Sequence, residues 1–251
     1  MNGSYEESGL DLKQYMEFIV DDKIERFKLF TTWTKSDRDE FRGLLDELKD
    51  TKENITTKEK GDRLERLVEF IIKKTYFFEV YKNIYTETNE IDEVIVLSDR
   101  GKQALDSFGI SRDMIPIEYD MFLGECKNYK SNLGVTYVGK FYSLLTVTGM
   151  KFGVIFTCYG LTGESEGYKD AYGLTKVLRM IEKSRNPDND FYILTFTLED
   201  YEKLLEGISF FDIVKAKKME MQLASDYTNF LTENKHAAEE EVKTALIECS
   251  K

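Results

Sequence analysis

The residues that could do chemistry start with one tripeptide, Glu125-Cys126-Lys127. On a β-strand, residues two apart share a face. Glu125 and Lys127 therefore project together, with Met121 and Leu123 behind them and Cys126 turned away. Strand interiors are depleted of charged residues, and taken alone the pair reads as a local ion pair at a solvated strand end. Asp92 adds a second carboxylate. It lies near the start of the stretch Glu90 to Leu97, whose remainder from Val94 is apolar and expected to be buried on both faces. A carboxylate there must be paired, solvated at an edge, or bound to metal. Glu90 shares its face and sits at the solvent margin. A third acid, Glu65, lies on a helix at the edge of an apolar stripe, while Glu69 falls further round.

These residues meet the specification for phosphodiester hydrolysis. Asp92 and Glu125 can hold Mg²⁺ or Mn²⁺ through hard oxygen ligands. Such an ion lowers the pKa of a bound water and neutralises developing charge. Lys127 can orient that water or polarise the phosphate. No histidine is needed, which suits a chain with one, His236. A histidine-rich metal site is excluded, and a Ser-His or Cys-His couple would have to recruit that single residue.

Composition sets further bounds. At 251 residues, with 41% hydrophobic and 13% aromatic residues, the chain can bury a sizeable core. No apolar run approaches the ~20 residues of a membrane span. The polar start, Met1 to Asp11, carries no secretory pattern. Cys126, Cys158 and Cys249 are scattered and form no CxxC pair, so no zinc knuckle or disulfide framework is indicated, and a reducing cytoplasm is the expected compartment. The net charge of −12 counts against nucleic acid as a partner. It is a whole-chain sum, however, and a local cleft can differ from it.

Several elements are expected to position the site. Leu12 to Phe30 and Ser36 to Lys49 read as helices, the second with Ser36 as its N-cap and Phe41, Leu44, Leu45 and Leu48 on one face. Asp50 to Glu59 is polar and reads as a linker. Gly61 to Lys74 is a helix, with Leu64, Leu67, Val68, Ile71 and Ile72 at helical spacing. Strands follow at Tyr76 to Tyr81, Glu90 to Leu97 and Met121 to Tyr129, then a helix at Thr136 to Thr148, a strand at Lys151 to Tyr159, a helix at Gly167 to Lys183 and a strand at Phe191 to Phe196. Helices resume at Leu198 and end in a charged tail whose Glu239-Glu240-Glu241 run reads as a solvated face. Strands joined directly, then strands joined through helices, predict a layered α/β fold with a mixed sheet.

That ordered set resembles the PD-(D/E)xK restriction-endonuclease-like superfamily, and within it the Mrr-type restriction endonucleases. The residues carrying the resemblance are Gly61-Asp-Arg-Leu-Glu65-Arg-Leu-Val68, Asn89-Glu-Ile-Asp92 and Gly124-Glu-Cys-Lys127-Asn-Tyr129, with Val154-Ile-Phe-Thr157 and Gly160-Leu-Thr-Gly163 after them. It covers roughly Lys58 to Phe196. It implies a three-layer α/β/α core with a mixed central sheet, with helical additions at both ends. It makes Asp92 and Glu125 metal ligands, joined by the main-chain carbonyl of Cys126, with Lys127 the catalytic lysine and Glu65 an accessory acid. It further implies a Mg- or Mn-dependent endonuclease acting on DNA in a prokaryotic restriction or defence system. The alternatives are a non-catalytic or partner-activated nucleic-acid-binding subunit of the same fold, or a nuclease directed at RNA.

Two departures stand out. The stretch Ser98 to Asp120 is longer than a simple turn and has room for a small helix near Lys102 to Ser107, and Asp99, Asp113 or Asp120 could compete with Asp92. The acidic balance is the other. Residues 1–57 and 198–251 match nothing nameable beside the 58–197 core; a homodimer contact, a partner protein or substrate selection are their expected uses. No membrane contact is expected. Tyr159, Tyr168 and Tyr172 read as packing residues, and glycines 160, 163, 167 and 173 form no phosphate loop.

Overall fold

The computed structural model describes residues 12–50, 55–85, 90–164 and 169–224. A long helix α1 (Leu12–Thr31) leads into α2 (Lys35–Lys49) and α3 (Thr57–Lys73). Then come β1 (Phe78–Tyr85), β2 (Glu90–Leu97), α4 (Asp99–Ser107) and β3 (Met121–Lys127). The chain continues through α5 (Val135–Thr148), β4 (Phe152–Thr157), α6 (Asp170–Arg185), β5 (Tyr192–Phe196), α7 (Leu198–Leu205) and α8 (Phe210–Ala224). The strands lie in the order β1-β2-β3-β4-β5. The first three run antiparallel, and β3, β4 and β5 are parallel. This is the mixed sheet expected, and the fold is α/β, with helices on both faces of five strands.

Two hydrophobic clusters cover the two faces. Phe122, Phe152, Val154, Phe156, Tyr192, Leu194 and Phe196 meet α2, α3, α7 and α8 on one side. Leu123, Ile155 and Ile193 meet α5 and α6 on the other. Both parallel connections thus cross the same face, as right-handed crossovers between neighbouring strands require. The terminal helices join the same core: Phe41, Leu45 and Leu48 of α2, and Phe210, Phe211 and Val214 of α8, are buried in it.

Helix starts differ from expectation in an instructive way. The cap of α2 is Thr34, not Ser36: Thr34 Oγ1 accepts from the Asp37 N–H (3.2 Å), and the Asp37 carboxylate accepts from the Thr34 N–H (2.8 Å). The α3 helix opens four residues earlier than expected, on the same reciprocal arrangement between Thr56 and Glu59. Such a Thr-x-x-acid box is polar throughout, and that polarity made it look like linker. Residues 51–54 lie outside the described set, as do Tyr168, His236, the Glu239 run and Cys249.

Candidate active site

Strand β3 sets the geometry. Its ladder with β2 stops at the Glu93–Gly124 pair. Cys126, two residues further on, gives its N–H to Asp92 Oδ2 instead of to a strand carbonyl (3.1 Å). The same oxygen accepts from Lys127 Nζ at 2.9 Å, and Nζ lies 2.7 Å from Glu125 Oε1. One ammonium therefore bridges two carboxylates from adjacent strands. All three side chains remain about one-fifth exposed, so solvent or a ligand can reach them.

The other edge of β2 explains how Asp92 arrives there. Its ladder with β1 pairs Lys82 with Glu93 and Ile84 with Ile91, but skips Asn83 opposite Asp92. Asn83 takes a left-handed φ of 52°. Alternation breaks at this step: Ile95 and Leu97 pack into the α3-side cluster, whereas Ile91 packs on the α5/α6 side. Asp92 sits at the break, where its carboxylate turns toward the end of β3.

Glu65 faces this group from α3. Burial raises its pKa first, and the Asp92 carboxylate raises it further, against the pull of Lys82 and Lys127. Glu69, one turn on, is engaged elsewhere, with Lys73 and Lys82 both 2.7 Å away. These two ammoniums lower its pKa. For Lys127, burial alone would lower the pKa, but Glu125 and Asp92 outweigh it and hold the value above the ordinary lysine range. Lys127 is thus a charged donor at neutral pH.

The competing aspartates do not reach this site. Asp99 lies in the first turn of α4. Asp113 falls in a short 3₁₀ turn, Arg112–Met114, and Asp120 pairs with Arg112 and Lys102 just before β3 begins, at the strand end opposite Lys127. The side chain of Glu90 lies outside the described set.

Two neighbours went unread in the sequence. Glu93 is completely buried, neither of its carboxyl oxygens meets a well-aligned hydrogen-bond donor among the described residues, and burial pushes its pKa up to about 8 against the pull of the nearby Cys126 thiol. Its signal was Gly124, a glycine inside a strand, which often marks a close approach. A β-carbon there would come within 2.6 Å of Glu93 Oε2. The second is Thr157, register partner of Lys127, whose buried hydroxyl has no hydrogen-bond partner among the described residues. A tyrosine was also misread. Tyr172 does pack, half-buried beside the α5/α6 cluster, but Tyr159 stands 48% exposed at the end of β4.

No family model matches the chain, and no curated protein matches it. Among solved structures, it is similar to the DNA modification-dependent restriction endonuclease AspBHI, at 14% identity and a TM-score of 0.35. The match covers 77% of this chain but 43% of that protein, so this chain spans less than half its length. No described helix is long and apolar enough to cross a membrane.

Proposed function

We propose that this chain is a Mg²⁺- or Mn²⁺-dependent endonuclease of the PD-(D/E)xK type, in the manner of the Mrr group, hydrolysing DNA in a restriction or defence setting. One observation carries this reading: two carboxylates from adjacent strands converge on one lysine at a half-open sheet edge. Sheet interiors seldom assemble charges this way without a use for them.

The donor chemistry suits a divalent cation, although among the described residues no group of three His, Cys, Asp or Glu side chains is gathered for one: Asp92 and Glu125 offer hard oxygen donors that meet at the Lys127 ammonium, in the chemistry Mg²⁺ prefers. Along a strand, the N–H and C=O of one residue point to the same side. The Cys126 N–H faces Asp92, so its carbonyl faces that edge too, beyond the last β2–β3 pair. Asp92, Glu125 and this carbonyl would hold the ion. When bound, the ion supplies a Lewis acid that acidifies a coordinated water and neutralises phosphate charge.

The protein's own groups divide the remaining work. Lys127, whose pKa Glu125 and Asp92 raise, donates to a phosphate oxygen or orients the attacking water. Glu65, at the rim, acts as the accessory acid that helps order the carboxylate pair.

The test is cleavage of linear DNA, circular DNA and RNA with Mg²⁺ or Mn²⁺ and with chelator. Metal-dependent cutting of DNA supports the proposal. Cutting of RNA alone would redirect it to an RNA nuclease, and no cutting of any substrate would replace it with a nucleic-acid-binding subunit.

A further inference from the structure

Just past Lys127 the chain enters a groove of about 480 Å³, bounded by the ends of β3 and β4, the end of α2 and the start of α3 and α7. Its lining is distinctive in a chain of net charge −12. Lys60 and Lys130 both face it, and neither makes an ion pair among the described residues. Several lysines elsewhere are paired, Lys73 and Lys82 with Glu69, Lys74 with Asp37, Lys217 with Asp200 and Lys218 with Glu118, and others such as the exposed Lys35 and Lys140 are not paired among the described residues, so what sets Lys60 and Lys130 apart is that they line one groove together with two tyrosines. The groove's own Lys49 is held by Glu202 at 2.6 Å. Asp50 also lines it, so the free positive charge comes from positions 60 and 130.

Two aromatic residues line the same groove. Tyr159 is 48% exposed and Tyr129 is 40% exposed. Tyr129 leans on Tyr137, ring centroids 5.2 Å apart. The backbone beneath is fixed. Asn128 Nδ2 donates to the Lys60 carbonyl (2.7 Å), and its Oδ1 accepts from Cys158 Sγ (3.2 Å), tying α3 to the ends of β3 and β4. Asn132 Nδ2 donates to the carbonyls of Tyr159 (2.7 Å) and Leu161 (3.1 Å). Tyr159 is therefore an exposed ring on an anchored main chain, which is a poor design for packing and a good one for stacking.

Unpaired ammoniums beside exposed, preorganised aromatic rings suit a ligand that is both polyanionic and flat-faced. A single nucleic-acid strand has both properties, with phosphates for the lysines and bases for the rings. An intact duplex keeps its base faces stacked inside and would leave the tyrosines unused. We infer that this groove holds an unpaired nucleotide segment of the substrate strand adjoining the scissile phosphate, a base stacked on Tyr159 and its phosphates between Lys60 and Lys130. The neighbouring scissile phosphate rests on the nuclease reading, but strand binding in the groove is measurable without cleavage.

The probe is a fluorescein-labelled 20-nucleotide single-stranded DNA, compared with its duplex. Binding to the full chain is measured by anisotropy in chelator, and cleavage kinetics in Mg²⁺. Tyr159→Ala should weaken single-strand binding roughly 5- to 100-fold, the usual effect of removing one stacking ring. Tyr159→Phe should retain it, which a merely structural role for the hydroxyl would not allow. Lys60→Gln with Lys130→Gln should flatten the salt dependence of log K by roughly 1.4, about 0.7 for each phosphate contact on single strands. In cleavage, the same changes should raise KM and leave kcat within about twofold.

Unchanged single-strand affinity in Tyr159→Ala and in the double lysine variant overturns the inference, even if the wild type cuts DNA. Effects confined to the duplex overturn the single-strand assignment. If the wild type binds the strand through these residues but cuts nothing, the groove stands and the nuclease reading falls.

Discussion

Replacing Glu93 by Gln tests whether the acid beneath the site is neutral in the folded protein. Glu93 is fully buried with no well-aligned donor on its carboxyl oxygens among the described residues, and burial pushes its pKa up to about 8, against the pull of the Cys126 thiol, where an ordinary glutamate titrates near 4.5. Burial is the main cause, with the Glu65 and Asp92 carboxylates adding to it. Between those two pH values the folded protein keeps a proton that the unfolded chain has released. The unfolded state then binds fewer protons, so stability falls as pH rises. The loss begins above about pH 4.5, continues to about pH 8, and levels off beyond it. At about 1.4 kcal/mol per pH unit, the full window amounts to about 5 kcal/mol, reduced by whatever the pocket regains when it relaxes or admits water. Even half of that is a large share of the ~5–15 kcal/mol of a typical domain. Gln mimics the protonated acid and does not ionise. Urea unfolding of metal-free wild type and Glu93→Gln in chelator, from pH 5 to 9, should therefore give curves that diverge with pH, the variant becoming the more stable by a few kcal/mol at pH 9. Parallel curves would mean that Glu93 titrates alike in the folded and unfolded chain.

Further predictions concern the neighbouring residues. Gly124→Ala should destabilise the fold because its β-carbon would press on Glu93 Oε2, and a good part of that loss should be recovered in a Glu93→Ala background, as a double-mutant cycle by urea unfolding would show. Glu65→Gln should slow metal-dependent cleavage by about tenfold or more, whereas Glu69→Gln, whose partners are Lys73 and Lys82, should leave kcat within about twofold. Thr34→Ala should cost ~1 kcal/mol in thermal unfolding through loss of the α2 cap. Asp37 is held at about pH 2, chiefly by Lys74 and then by Thr34, so it stabilises the fold above pH 4 and that contribution should disappear as acid titration descends from about 4 to about 2.

Patterns local in sequence were legible. The period of Leu64, Leu67, Val68, Ile71 and Ile72 is set by one helix burying one face, and all five are buried. Glu125 and Lys127 could be placed together because strand alternation is a two-residue rule. The meeting of Asp92 with Lys127 needed the order of strands as well, and the ordered motif supplied it. What escaped was non-local. Alternation gives Glu93 a face but no depth, and only the register opposite Gly124 shows that the side chain is enclosed. The break at Asn83 depends on a backbone torsion that Asn tolerates better than most residues, and no periodicity announces it. Phe211 was visible as an apolar helix residue, but it packs on Phe77 and Phe78, more than 130 positions earlier. Tyr159 looked like packing because aromatics usually are; its exposure follows from where the Asn132 side chain anchors the loop.

In the proposed mechanism Asp92 and Glu125 hold a metal while Lys127 serves the chemical step. Lys127→Ala separates these roles most directly. It removes no metal ligand and opens no cavity in the core, since the side chain lies at the half-open edge. Calorimetric titration with Mn²⁺, run beside a DNA cleavage assay on the same preparation, is the measurement. The account predicts Mn²⁺ binding of wild-type stoichiometry with cleavage reduced on the order of 10²–10³-fold, and loss of Mn²⁺ binding in the parallel Asp92→Ala protein. Cleavage by Lys127→Ala at the wild-type rate, or undiminished Mn²⁺ binding by Asp92→Ala, would contradict it.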